Sequence, residues 1–141
     1  MHDPSDPLEM LARLLVAPAT FACSTPAGAL VVAVAATISG PDLAVALRLP
    51  DAGGRECRLV VQRGHMVEVD GLSAAQILRV AGASPVEVGT VERCREAELA
   101  ALLADGAAGG LFIAGMPGAG LLGMAEFVWA CRRAAVPALV L

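Results

Sequence analysis

The sequence predicts an α/β domain of three layers, with helices on both faces of a mostly parallel, doubly wound sheet. Three observations carry that reading. Apolar runs begin near residues 58, 85, 110 and 137, and the spacings of 27, 25 and 27 residues each fit one strand plus one crossover helix. The stretches between the runs place apolar residues at helical intervals and close on glycine, as at Gly82 and Gly106. Hydrophobic residues make up 57% of the chain but aromatics only 3%, with 15 glycines, so the core is aliphatic and small enough for helices to lie close on a sheet. A chain of 141 residues is one domain's worth.

The elements follow in order. Ser5-Asp6-Pro7 puts a capping side chain ahead of a proline in a first helical turn, with apolar positions at helical spacing over residues 8–15. Pro18 ends this N-terminal helical segment, which occupies residues 1–19. Phe21-Ala22-Cys23 is a short apolar run. Ser24-Thr25-Pro26 then opens a second helix through about Thr37, broken by Gly40-Pro41, and residues 42–47 form a further turn or two. Residues 58–62 read as a buried strand, and residues 72–81 as an amphipathic helix with Ser73 or Gly71 near its cap. Strands at 85–88, 110–114 and 137–141 alternate with helices at 96–104 and 122–134.

Composition excludes several classes of function. The formal net charge is -4 and only Arg132 and Arg133 are adjacent basic residues, so there is no electrostatic footprint for nucleic acid. Cys23, Cys57, Cys94 and Cys131 lie more than thirty residues apart, without ligand spacing for zinc, and read as reduced, mostly buried thiols of a cytoplasmic protein. The opening Met1-to-Pro7 stretch is acidic and proline-rich, unlike a secretory signal. The most apolar stretch, residues 27–38, falls short of the ~20 residues that span a bilayer, so it reads as a core helix and no membrane partner is expected.

Three blocks together carry a family resemblance. Val60-Val61-Gln62-Arg63-Gly64-His65-Met66-Val67 forms a strand and loop. Residues 77–89, Ile-Leu-Arg-Val-Ala-Gly-Ala-Ser-Pro-Val-Glu-Val-Gly, run from a helix into a strand, and Ala134-Ala135-Val136-Pro137-Ala138-Leu139-Val140-Leu141 is the last strand. From about Thr20 to Leu141 the chain resembles part of the large domain of fold-type-I pyridoxal-phosphate enzymes similar to bacterial selenocysteine synthase (L-seryl-tRNA(Sec) selenium transferase) and D-glucosaminate-6-phosphate ammonia-lyase.

The resemblance implies pyridoxal phosphate as cofactor, a phosphate-binding turn at Ser24, Thr25, Ala27 and Gly28, and a cofactor-proximal His65. The turn also makes sense from its residues, because a helix N-terminus with hydroxyl caps and a first-turn proline favours an anion. Pro26 departs from the family pattern there. Arg63 suits either a phosphate or, more simply, a surface ion pair. Glu87 reads as a partly buried carboxylate paired with Arg79 or Arg93. Glu92, Glu96 and Glu98 with Arg93 and Arg95 read as a solvated helix entry. Gly118, Gly120 and Gly123 match GxGxxG, but no acidic residue follows about twenty positions on, so turn geometry explains them and a dinucleotide-binding domain is the weakest reading.

Against the family stands an absence. All ten basic residues are arginine, and the chain has no lysine. Arginine stays protonated and supplies no free amine for an imine, so covalent attachment of the cofactor is impossible on this chain. The aspartate that would pair with the pyridinium nitrogen, beyond the run ending at Leu141, is not present either. The expectation is a truncated or degenerate large-domain segment of a transferase or lyase acting at the β position of an amino-acid-like or amino-sugar substrate, inactive alone. The alternative is a non-enzymatic α/β binding or assembly module. An uncovered apolar strand edge predicts a homo-oligomer, or pairing with a chain that carries the missing part of the domain.

Overall fold

Six strands and six helices are built by residues 6–116 and 118–141, the part of the chain that the computed structural model describes. The helices are α1 (Pro7–Leu14), α2 (Pro26–Ser39), α3 (Leu43–Ala46), α4 (Ala74–Val80), α5 (Glu96–Ala104) and α6 (Met124–Arg133). The strands are β1 (Arg58–Gln62), β2 (Glu68–Val69), β3 (Leu72–Ser73), β4 (Ser84–Val88), β5 (Gly109–Phe112) and β6 (Ala138–Val140). Four of them form a parallel sheet in the order β4-β1-β5-β6, with Val60 opposite both Val86 and Gly110. The expected α/β architecture is the observed one.

The strand periodicity was readable because β1 is buried on both faces. Leu59 and Val61 pack with Leu30, Val34, Ile77 and Leu78 of α2 and α4. Val60 packs on the opposite face with Leu99, Leu103 and Phe127 of α5 and α6. A parallel strand covered by helices on both sides needs apolar residues at every position rather than at alternate ones. α2 is the core helix expected, and no helix among the described residues is long and apolar enough to cross a membrane.

Several boundaries differ from the sequence reading, each for a local reason. Asp6 is the N-cap of α1, its carboxylate accepting from Leu8 N–H at 2.9 Å, while Ser5 and the rest of residues 1–5 lie outside the described residues. α1 stops at Leu14, well before Pro18. Val16 turns left-handed (φ 52°), and the N–H groups of Val16 and Ala17 bond back to the carbonyls of Arg13 and Ala12, a Schellman closure made without glycine. The helix expected from residue 72 begins at Ala74, because Leu72 and Ser73 pair with Val69 and Glu68 in an antiparallel hairpin. Ser73 then caps α4 in a reciprocal box with Gln76. Thiol burial is also less than expected: Cys94 and Cys131 are buried, whereas Cys57 is half-buried and Cys23 exposed.

Candidate functional site

The sheet order turns at β1, which pairs with β4 on one side and β5 on the other. In open α/β sheets a crevice forms past the carboxyl ends of strands at such a switch point. Here that position lies between the turn after β1 (Arg63, Gly64, His65) and the segment after β5 (Ile113, Ala114).

His65 sits in this position. Arg63–His65 form a single 3₁₀ turn directly after β1, which rolls the imidazole inward until it is 1% exposed. Its Nδ1 accepts from Ile113 N–H at 3.2 Å, so Nδ1 carries no proton in the neutral ring. The ring meets Phe112 edge-on, with centroids 4.6 Å apart and planes at 83°. The resemblance implied a cofactor-proximal histidine, and the structure buries its ring. The place at a strand's carboxyl end is as expected, but the ring is enclosed and presents no open face.

Burial holds the His65 pKa below its ordinary value near 6.5. As pH falls through that value the unfolded chain takes up a proton that the folded chain refuses. The histidine's contribution is thus complete above about 6.5 and is lost as pH falls toward the lower folded pKa. We expect denaturant midpoints to drop between about pH 7 and pH 5, and H65F to remove part of that slope. An identical slope in H65F would show that other groups carry it.

The loops around His65 are interlocked by close backbone approach. A Cβ on Gly64 would lie 2.5 Å from the Val91 carbonyl oxygen and 2.6 Å from Leu121, so only glycine lets the turn after β1 pass beneath both. A Cβ on Gly120 would lie 2.4 Å from the Glu92 carbonyl oxygen, and Cys94 N–H donates to the Gly120 carbonyl at 3.0 Å. Gly123 precedes α6, its N–H donating to the Glu126 carboxylate at 2.8 Å. The glycines of the GxGxxG match thus serve packing and capping, with the α6 entrance already holding an acidic side chain. Pro117, next to Gly118 in the sequence, lies outside the described residues.

Gln62 escaped the sequence reading. It is 0% exposed, and its amide grips the Leu122 backbone at two points, accepting from the N–H at 2.8 Å and donating to the carbonyl at 3.1 Å. The available signal was a lone polar residue ending an apolar run. Arg63 pairs with Glu87 at 2.5 Å on the surface, so the partner of Glu87 is Arg63 rather than Arg79 or Arg93. Both groups are substantially exposed, and such a pair contributes little to stability.

The expected phosphate turn lies at the start of α2. Pro26 has no N–H, Gly28 N–H donates to Thr25 Oγ1 at 3.0 Å, and Ala29 N–H donates to the Thr25 carbonyl at 3.0 Å. The remaining donor, Ala27 N–H, is taken by the Asp70 carboxylate at 2.8 Å. Ser24 and Thr25 are exposed and Ala27 is buried. A phosphate placed here would find the N–H groups of Ala27, Gly28 and Ala29 engaged and would meet a carboxylate, leaving only the exposed Ser24 and Thr25 to offer donors. As folded, these residues do not fit the phosphate of pyridoxal phosphate, and the enclosed His65 does not fit its ring. The described residues also hold no group of three or more His, Cys, Asp or Glu placed to bind a metal ion.

With this geometry in view, comparison with known proteins decides the relation. The chain superimposes on D-glucosaminate-6-phosphate ammonia-lyase with a TM-score of 0.87 and 26% identity, over 94% of its own length. The fold is that of the matching part of the ammonia-lyase. The resemblance read from the sequence motifs therefore holds through the three-dimensional structure. The chain corresponds to 36% of the ammonia-lyase, in keeping with part of a larger domain. It is also 35% identical over 74 residues to 5'-C-glycyluridine monooxygenase-decarboxylase from Streptomyces sp, matching 52% of this chain and 18% of that protein. No family model matches the chain.

Proposed function

We propose that these 141 residues serve as a scaffold segment of a pyridoxal-phosphate-type large domain and perform no covalent cofactor chemistry by themselves. The observation that carries the reading is the ammonia-lyase fold over 94% of a chain without lysine. An internal imine requires a primary amine, which no arginine supplies. When bound in such a fold, pyridoxal phosphate acts as an electron sink. The chemistry proposed for a complete assembly is elimination or replacement on an amino-acid-like or amino-sugar substrate, with the amine supplied by residues other than these. Within this segment, β1 and β5 brace the floor of the switch point, Gln62 fixes the entry to α6, and His65 ties β1 to β5.

The reading is tested by mixing the purified chain with pyridoxal phosphate and recording absorbance before and after dialysis. The expected result is loss of the imine band on dialysis. A band that persists, together with turnover of an amino-acid-like substrate, would overturn the proposal.

A further inference from the structure

We infer that Asp70 is a built-in anion that takes the place of a ligand phosphate at the N-terminus of α2 and closes that position. The inference rests on the proposed function only for the choice of phosphate as the probe. Asp70 and Ala27 are 43 residues apart in sequence, so the 2.8 Å bond between them is a tertiary contact rather than ordinary local capping. Two features aim the carboxylate. Asp70 and Gly71 form the two-residue turn of the β2–β3 hairpin, with φ of 53° and 76°, a geometry that Asp-Gly suits and that fixes the direction of the first side chain. The hairpin is itself anchored, because Ala74 N–H donates to the Val67 carbonyl at 2.9 Å and Val67 N–H to the His65 carbonyl at 2.9 Å.

The consequences are both steric and electrostatic. Ala27 N–H is the one first-turn donor that Thr25 leaves over, and the carboxylate uses it. An incoming phosphate would have to displace the carboxylate or sit beside a like charge at hydrogen-bond range, which opposes its binding. Asp70 is exposed, so it is position rather than burial that makes it an obstacle. The same contact joins three parts of the candidate site: the His65 turn, the hairpin and the start of α2.

The test uses the full chain, labelled with ¹⁵N, and inorganic phosphate titrated at constant ionic strength while the Ala27 and Gly28 amide signals are followed. In the parent chain these signals are expected to stay in place. In D70G, chosen because glycine accepts the left-handed turn, the Ala27 signal is expected to move and saturate, with apparent affinity raised roughly tenfold or more. D70A is run in parallel, with signal dispersion reporting that each variant is folded. A saturable Ala27 response in the parent chain would overturn the inference, as would folded variants that remain silent. Neither result depends on whether the chain forms an imine, so failure here is distinct from failure of the proposed function.

Discussion

Replacing Phe127 by alanine is expected to lower the unfolding free energy by about 3–5 kcal/mol, the usual range for truncating a fully buried aromatic side chain. Phe127 is 0% exposed on α6, and its ring stands 5.7 Å from that of Phe112, centroid to centroid. It also lies against the bare backbone of Gly110 in β5, where a Cβ would come within 2.9 Å of the ring and 2.7 Å of Cys131 Sγ. The ring thus fills the space between α6 and the sheet that a glycine leaves open. In a chain with only 3% aromatic residues, no neighbouring ring is available to collapse into the gap beyond Phe112. A domain of this size has about 5–15 kcal/mol in total, so F127A would leave it near the edge of unfolding. Urea unfolding followed by far-ultraviolet circular dichroism measures the change. A loss below about 1 kcal/mol would mean that α6 is not packed on β5 as described.

The second large effect is at His65. H65A removes the ring from the switch point and leaves Ile113 N–H without its acceptor. An orphaned buried donor costs about 1–3 kcal/mol, and the cavity adds to it, for an expected total of about 2–4 kcal/mol. H65F separates the two contributions, since it keeps an aromatic ring against Phe112 but offers no acceptor. It is expected to recover the packing part and not the hydrogen bond. If H65A and the parent chain unfold at the same urea concentration, His65 does not tie β1 to β5, and the site built around it falls.

The layered fold was legible because its cause is local and repetitive. β1 and β5 are covered on both faces, so each appears as an unbroken apolar run, and the intervening helices end at residues such as Gly82 that accept a left-handed turn. The β2–β3 hairpin was not legible, although Asp70-Gly71 is a strong turn signal. Its strands are two residues each, and the helical pattern that follows was read back over Leu72 and Ser73. A two-residue strand has too little pattern to compete with a helical period.

The site was legible only in outline. That residues 63–65 follow a strand end could be read from sequence, but not that the chain rolls His65 inward. That turn depends on the clearance at Gly64 beneath residues from two other loops. The start of α2 looked like an anion site from its residues, and in the structure its free N–H group bonds a carboxylate of the same chain. What the sequence could not disclose is that its anion is already present in the chain, delivered by a turn 43 residues away. Contacts of that kind leave no periodic trace.

Borohydride trapping tests the central claim most directly. The chain is incubated with pyridoxal phosphate, reduced, digested and mapped by peptide mass, which distinguishes the α-amino group of the first residue from any internal side chain. We predict no reduced cofactor on any residue from His2 to Leu141. A reduced adduct on an internal side chain would show that these residues anchor the cofactor after all, and the account of a scaffold without its own amine would be contradicted.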